Sequence, residues 1–193
     1  MKIVVVGATG LVGRAVVAAL EARHEIVSVS RRSPVRADLR DLASLGGLFE
    51  TAPDAVVCCA ANVPLRPLGD LTAEQVADDL RGKLLGQVEL ARLSAERLPA
   101  GGSITLTGGT FTEPIPGSGL GALVNAGLES FVRSVGAERP HGPRINVVSP
   151  GWIRETLEAM GEDGAGGTSV AVVAEAYREL VEGDARGTTV VPR

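Results

Sequence analysis

The fold is decided by residues 2–13, which read Lys-Ile-Val-Val-Val-Gly-Ala-Thr-Gly-Leu-Val-Gly. The first five residues are mostly β-branched and do not alternate with polar ones, which is typical of a strand buried on both faces. From Leu11 onward apolar residues recur at helical spacing, so a helix follows the strand directly. The turn between them holds three glycines. Gly7 permits a tight turn, Gly10 keeps the backbone open to a close ligand, and Gly13 lets the helix pack closely on the strand.

This turn predicts a nucleotide site. The start of a helix offers N–H groups without partners and a partial positive charge, and both favour phosphate. In a strand–turn–helix of this spacing, the middle glycine lets a pyrophosphate approach the backbone. A tight turn without a ligand is the alternative interpretation. The cofactor contacts expected here are Gly7, Thr9, Gly10, Leu11, Val12 and Gly13.

The rest of the chain continues the alternation of strands and helices. Further strands are expected at Glu25–Ser30, Ala55–Ala60, Ser103–Thr107, Arg144–Ser149 and Thr188–Val191, and helices at residues 72–98, 123–138 and 170–182. The link after the second strand is too short for a crossover helix, so we expect at most a stub of strand at Arg36–Leu39, then a short helix at Asp41–Phe49. Residues 156–168 are expected to form a loop with a glycine-rich tip. The pattern predicts an α/β fold: a doubly wound, mostly parallel Rossmann-type sheet with helices on both faces, in three layers and one domain over residues 1–193.

Composition argues against several classes of protein. The 193 residues carry 19 Lys and Arg against 23 Asp and Glu, so the chain has no basic excess for nucleic acid. No apolar run approaches the roughly 20 residues of a membrane span, and no leader precedes the first strand. Cys58 and Cys59 are adjacent, which favours the reducing cytoplasm over a disulfide scaffold. Neither histidine has metal-ligand spacing to a cysteine or carboxylate, so we expect no metal and a small-molecule partner.

The end of the second strand predicts which nicotinamide dinucleotide binds. An acidic residue there would accept a hydrogen bond from the ribose 2′-hydroxyl of NAD, whereas arginine accommodates the 2′-phosphate of NADP. The sequence has Ser30, Arg31 and Arg32 at this point, with no carboxylate before Asp38. Two guanidiniums and a hydroxyl suit a dianion. We expect NADP(H) to be preferred over NAD(H), with a solvated basic loop as the alternative.

Together these motifs resemble the short-chain dehydrogenase/reductase family over essentially the whole chain. The glycine turn matches the family's cofactor loop, residues 58–61 stand where the family has Asn-Asn-Ala-Gly, and residues 146–151 match the strand and turn that face the nicotinamide. The resemblance also implies a homodimer or homotetramer, formed through the helices of residues 72–98 and 123–138. The further cofactor contacts that it implies are Asp38, Leu39, Ala60, Ala61, Pro150, Gly151 and Ile153.

The catalytic signature of the family is replaced in this chain. The resemblance places the family's Ser, Tyr and Lys at Gly108, Gly121 and Asn125, and its helical Asn at Lys83. Lys83 is one of only two lysines. A partly desolvated ammonium at this point can donate a proton or bind ribose or phosphate. We expect Lys83 and Asn125 to replace the missing lysine and its water relay, with extension of Lys83 into solvent as the alternative.

Two threonines near Gly108 are further candidates for catalysis. Thr107 and Thr110 flank that position and would hydrogen-bond a substrate carbonyl, although such threonines also commonly satisfy loop backbone. The expected function is an NADP(H)-dependent oxidoreductase that reduces a small carbonyl or activated alkene by hydride transfer, with a non-standard proton donor. The alternatives are a catalytically inactive NADP(H)-binding sensor or scaffold, and a non-redox isomerase or dehydratase in the same fold.

Overall fold

The computed structural model describes residues 1–193, and all of its strands join one parallel sheet. The strand order is β3-β2-β1-β4-β5-β6-β7, which reverses direction between β1 and β4. The strands are Lys2–Val6 (β1), Glu25–Ser30 (β2), Val35–Arg36 (β3), Ala55–Cys58 (β4), Ser103–Thr107 (β5), Arg144–Val148 (β6) and Thr189–Val190 (β7). The α-helices are Leu11–Leu20 (α1), Ala73–Asp79 (α2), Gly86–Arg97 (α3), Gly119–Glu138 (α4), Arg154–Ala159 (α5) and Val170–Glu182 (α6).

Side chains of the central strands alternate between two cores, one on each face of the sheet. In β1, Val4 and Val6 pack in the core that includes residues of α3 and α4, whereas Ile3 and Val5 pack in the core that includes residues of α1 and α6. A strand covered on both faces needs apolar residues at every position, which explains the unbroken apolar run. The predicted three-layer α/β fold with a Rossmann-type sheet is confirmed.

The segment after β2 returns to the sheet through a four-residue turn, without a helix. The expected stub of strand exists, but at Val35–Arg36 rather than Arg36–Leu39, and it pairs in parallel with Val29 and Ser30 of β2. A 3₁₀ helix at Leu42–Thr51 then stands where the sequence predicted a short helix.

The long helix predicted at residues 72–98 is continuous but irregular. Thr72 and Gln75 form a reciprocal capping box at its start, as their spacing indicates. Between α2 and α3, residues Leu80–Leu85 adopt π-helical hydrogen bonding, with the N–H of Gly86 donating to the carbonyl of Arg81. Such π-turns within α-helices are frequent at functional sites. Lys83 lies inside this π-helical segment.

The loop expected at residues 156–168 is wrong for its first four residues, which belong to α5. Arg154–Ala159 form α5, and Gly164–Gly166 form a 3₁₀ turn. The N–H of Val170, at the start of α6, donates to the Glu155 carboxylate at 2.9 Å, and the N–H of Arg154 donates to the carbonyl of Thr168 at 3.0 Å. These contacts fix both ends of the segment beside the carboxyl ends of β6 and β7. None of the helices has the length and hydropathy of a membrane span.

Candidate functional site

The glycine turn is shaped by close backbone packing at two of its three glycines. Gly7 has a φ of +83°, and a Cβ there would lie 2.7 Å from the backbone nitrogen of Ala60. A Cβ at Gly13 would lie 2.8 Å from the Cα of Ala8. At Gly10 the nearest atom would be 3.4 Å away, so packing within the protein does not require a glycine there. That space lies open at the position where the sequence predicts a pyrophosphate.

The start of α1 is prepared for an anion. No side chain caps the helix, and its first turn contains no acidic residue. The N–H groups of Leu11, Val12 and Gly13 have no hydrogen-bond acceptor in the protein. Arg14 donates to the carbonyl of Thr9 at 2.6 Å and so fixes the turn. Unsatisfied N–H groups and the positive end of the helix dipole together form a phosphate site.

A cleft of about 270 Å³ extends from this turn along the carboxyl ends of β1, β2 and β4. A second hollow continues from Thr9 to Arg31 and Arg32, both of which are exposed. Residues of the main cleft that the sequence predicted are Gly7, Thr9, Gly10, Ser30, Arg31, Asp38, Leu39, Ala60 and Ala61. Its walls also include Arg40, Cys59, Asn62 and Gly82, which the sequence reasoning missed.

The hydroxyl of Ser30 is engaged by the protein itself. Its Oγ accepts hydrogen bonds from the N–H groups of Arg32 and Ser33, each at 3.1 Å, and shares a 2.7 Å hydrogen bond with the Ser33 hydroxyl. Ser30 therefore shapes the turn that carries Arg31 and Arg32, and it also lines both hollows. Its expected contact with a phosphate stays a prediction.

Asp38 and Leu39 reach the cleft in different ways. The Asp38 carboxylate accepts a hydrogen bond of 3.0 Å from the N–H of Arg40, and the Asp38 N–H donates to the Ser44 hydroxyl at 3.0 Å. The Leu39 side chain is buried in the core, next to Gly86, so it is the backbone of Leu39 that can face a ligand. The predicted cofactor contact of Leu39 would therefore be made by its backbone.

Lys83 is buried and has neutral partners. Only 6% of the residue is exposed, and its Nζ donates to the carbonyl of Gly108 at 2.9 Å and to Asn125 Oδ1 at 2.8 Å. The third N–H of the ammonium has no acceptor in the protein. Burial lowers the pKa of Lys83 to about 8. The alternative that Lys83 extends into solvent is wrong, and the structure brings Lys83 and Asn125 into direct contact.

Gln87, which the sequence reasoning also missed, fixes the π-helical segment to β5. Its side-chain nitrogen donates to the carbonyls of Lys83 at 3.2 Å and Thr107 at 2.9 Å, and its oxygen accepts from the N–H of Thr107 at 2.8 Å. The amide is fully buried. A buried amide that satisfies three backbone groups holds both segments rigidly, so Gln87 is a positioning residue for Lys83.

At Gly108 and Gly121, which the resemblance aligns with the family's Ser and Tyr, other residues border the available space. A Cβ at Gly108 would overlap the hydroxyl of Ser149, which donates to Glu129 Oε1 at 2.7 Å. A Cβ at Gly121 would lie 3.4 Å from the ring of Phe111. Ser149 is fully buried, so its hydroxyl belongs to the interior.

The two candidate threonines differ in accessibility. Thr107 is buried, and its hydroxyl donates to the carbonyl of Cys58 and bonds to the hydroxyl of Tyr177. The structure therefore corrects the catalytic assignment of Thr107, because its hydroxyl is held in the interior. Thr110 is half-buried, and its N–H donates to the carbonyl of Pro150 at 2.9 Å. Its hydroxyl has no protein partner, so Thr110 retains a free polar group at this edge of the sheet.

The segment Pro150–Ile153 lies beside Thr110 at the carboxyl end of β6. A Cβ at Gly151 would lie 4.0 Å from the side-chain methyl of Thr110. Ile153 forms a parallel bridge with Thr168, which places the residues before α5 next to this turn. Burial raises the pKa of the Cys58 thiol at the end of β4 to about 12 and also raises the pKa of Cys59, which disfavours the reactive thiolate forms.

The described residues fit a nicotinamide dinucleotide. The uncapped start of α1 suits the pyrophosphate, Arg31 and Arg32 suit a ribose phosphate, and the cleft between them is elongated along the sheet edge. Lys83 and Thr110 offer polar groups further along the same edge, where Lys83 contacts the carbonyl of Gly108 just after β5 and Thr110 contacts the carbonyl of Pro150 just after β6. The fold and the site therefore define a doubly wound α/β protein with a Rossmann-type sheet, whose residues fit a dinucleotide.

Comparisons with known proteins agree with this class. A family profile described as enoyl-(acyl carrier protein) reductase, of the short-chain dehydrogenase/reductase type, matches residues 6–186. The chain belongs to the short-chain dehydrogenase/reductase family and has the oxidoreductase fold of that family. No curated protein matches it significantly.

Solved structures resemble the chain along nearly its full length. The protein lin1944 from Listeria innocua is 33% identical, with a TM-score of 0.91 over 99% of this chain and 98% of that one. A small-chain dehydrogenase in complex with NADPH is 24% identical, with a TM-score of 0.81 over 99% and 95%. A short-chain dehydrogenase from Burkholderia cenocepacia in complex with NADP is 20% identical, with a TM-score of 0.85 over 98% and 95%.

Proposed function

We propose that this protein is an NADP(H)-dependent reductase of a small carbonyl or activated alkene, in which Lys83 supplies the proton. The observation that carries the proposal is the ammonium of Lys83, buried beside the carboxyl end of β5 with no carboxylate partner. An unpaired buried charge is costly to stability. Lys83 lies at the edge of the sheet where doubly wound folds bind ligands. Burial of its charge there lowers stability, which indicates a catalytic or binding role for this lysine.

The preference for NADP(H) rests on the residues around the phosphate positions. The start of α1 would hold the pyrophosphate, and the exposed guanidiniums of Arg31 and Arg32 would hold the 2′-phosphate through charge-assisted hydrogen bonds. Two of the similar structures contain NADPH or NADP, which supports the same cofactor here. Asp38, Ala60 and Ala61 would line the adenosine half.

The reduced dinucleotide, when bound, supplies a hydride, so the protein needs to provide only a proton and orientation. Lys83 has one N–H without a partner, and a pKa of about 8 keeps it largely protonated at neutral pH while allowing it to release a proton. Asn125 and the Gly108 carbonyl hold the ammonium through neutral oxygens, which do not raise its pKa as a carboxylate would. The free hydroxyl of Thr110 would orient the substrate carbonyl.

A second function is favoured by a specific observation. The positions of the family's Ser and Tyr are glycines, with the Ser149 hydroxyl and the Phe111 ring bordering the space. A protein altered in this way would bind NADP(H) without turnover, as a sensor or scaffold. The two functions differ in one measurable respect, which is steady oxidation of NADPH.

The experiment combines calorimetry with turnover, using Lys83→Met and the matched control Lys2→Met. Lys2 is the other lysine and forms a surface pair with Glu25. NADPH oxidation is followed with a panel of quinones, ketones and enones. We expect at least one substrate, a loss of about 100-fold in kcat for Lys83→Met with NADPH still bound, and no change for Lys2→Met. Binding without oxidation of any substrate favours the sensor, and full activity of Lys83→Met contradicts the assigned proton donor.

We also infer that the protein works in the cytoplasm as a homodimer or homotetramer. Leu85 and Leu123 are 49% and 58% exposed on the π-helical segment and α4, the elements that the family commonly uses for assembly. Analytical ultracentrifugation tests this inference, and a monomer at micromolar concentration would contradict it.

A further inference from the structure

The positions of the pyrophosphate and the ribose would fix the orientation of a dinucleotide in the cleft. The pyrophosphate position is the start of α1, and the ribose position is the end of β2 at Arg31. The base must therefore lie further along the cleft in the same direction. There the walls are formed by Ala37, Asp38, Arg40 and Gly82.

Arg40 is seated on Gly82 at this end of the cleft. A Cβ at Gly82 would lie 2.9 Å from Cζ and 3.1 Å from Nη2 of Arg40, so the guanidinium occupies the space of a missing side chain. Its Nε donates to both carboxylate oxygens of Asp78, at 3.3 and 3.2 Å. The side chain is nonetheless 45% exposed. The guanidinium is thus held in place and still open to a ligand.

Gly82 makes room for the Arg40 guanidinium at the wall of the cleft. Glycine inside a helix is unfavourable compared with alanine, but a side chain at this position would displace the guanidinium. Arginine also stacks on aromatic rings and donates to ring nitrogens more effectively than lysine does.

We propose that Arg40, seated on Gly82, is a base-recognition residue that contacts the adenine ring of the bound dinucleotide. The inference rests on the proposed dinucleotide binding and adds a specificity-determining contact to it. Because the contact is to the base, it acts equally on dinucleotides with and without the 2′-phosphate. This distinguishes Arg40 from Arg31 and Arg32.

Calorimetric titration of the purified protein with NADPH, NADH and adenosine 2′,5′-bisphosphate tests the proposal. For Arg40→Ala we expect all three affinities to fall by about tenfold, with an unchanged ratio between NADPH and NADH. For Gly82→Ala we expect a loss in the same direction, because the added Cβ displaces the guanidinium while its charge is kept. The matched control is Arg92→Ala, since Arg92 is 52% exposed and paired with Glu89 on α3. It should leave all three affinities unchanged.

Each other outcome overturns the proposal in a recognisable way. Unchanged affinities in Arg40→Ala would mean that the Arg40–Asp78 pair is only a surface ion pair. A loss confined to NADPH and the bisphosphate would mean that Arg40 contacts the phosphate instead of the base. Failure of the unaltered protein to bind any of the three ligands would overturn the proposed function together with this inference. Urea unfolding of each variant verifies that it is folded.

Discussion

The buried ammonium of Lys83 gives a quantitative prediction about stability and pH. The ordinary pKa of lysine is 10.5, and burial lowers that of Lys83 to about 8 in the folded protein. Between these values the unfolded chain holds a proton that the folded protein has released, so stability rises with pH. The gap is equivalent to about 3 kcal/mol, at about 1.4 kcal/mol for each pKa unit. This stability is fully present above the unfolded pKa and is lost as the pH falls through about 8.

The comparison with Lys83→Met isolates this contribution from other titrating groups. The free energy of unfolding in urea is measured for both proteins between about pH 7 and pH 10, and the difference between them is plotted against pH. We expect the unaltered protein to gain about 2.5 kcal/mol relative to Lys83→Met across this range, with most of the change above pH 8. Lys2→Met should track the unaltered protein. A difference that stays constant with pH would refute a depressed pKa for Lys83.

Three further predictions concern the phosphate site and the interior. Replacing Arg31 and Arg32 by alanine should weaken NADPH binding by about 10- to 100-fold, because charge-assisted contacts to the 2′-phosphate are lost, and should leave NADH binding nearly unchanged in calorimetry. Equal losses of affinity for both dinucleotides would contradict the assignment. Gly13→Ala should lower the free energy of unfolding in urea by about 2–3 kcal/mol, because its Cβ would meet the backbone. Gly10→Ala should leave the free energy of unfolding unchanged and weaken the binding of NADPH. Thr107→Val should lower stability by about 1–3 kcal/mol in urea, since the Cys58 carbonyl and the Tyr177 hydroxyl lose a partner. It should leave both NADPH affinity and the rate of NADPH oxidation unchanged, and a loss of turnover in the folded variant would restore a catalytic role for Thr107.

Elements with strong local signals could be predicted to the residue. The bounds of β1, β2 and α6 agree with the sequence expectation, because buried apolar runs or helical periodicity end at clear turn or capping residues. The helix α5 was missed because its stabilising contacts come from outside the segment, at Thr168 and Val170. The glycines of residues 161–167, which follow α5, favour a loop and so outweigh the weak local signal of this short helix. The bounds of β3 differ from the expected Arg36–Leu39 for a similar reason, since the Ser30 hydroxyl organises the turn before it.

The candidate site was predictable where one residue type has one dominant use. Spaced glycines, paired arginines and a rare lysine each favour one kind of local environment, so their place in a site can be predicted from the sequence. A hydroxyl group has many possible partners, so its place cannot. Thr107 is a case in point, because the partner of its hydroxyl, Tyr177, lies 70 residues away in the sequence. Gly82 did carry a usable signal, a glycine within a helical stretch, but the guanidinium that fills its space comes from Arg40, 42 residues earlier in the sequence.

Burial affects the titratable groups near the carboxyl ends of β4 and β5 in opposite ways. With glycine at positions 108 and 121, the Ser149 hydroxyl and the Phe111 ring border the space that a serine and a tyrosine would take. Burial raises the pKa of Cys58 to about 12 and also raises the pKa of Tyr177 above its usual range, which favours the protonated thiol and phenol near neutral pH. Burial moves the pKa of Lys83 the opposite way, towards neutrality, because its charged form is the protonated one. Desolvation therefore keeps Cys58 and Tyr177 protonated, whereas it brings the pKa of Lys83 into the range that the proposed proton transfer requires.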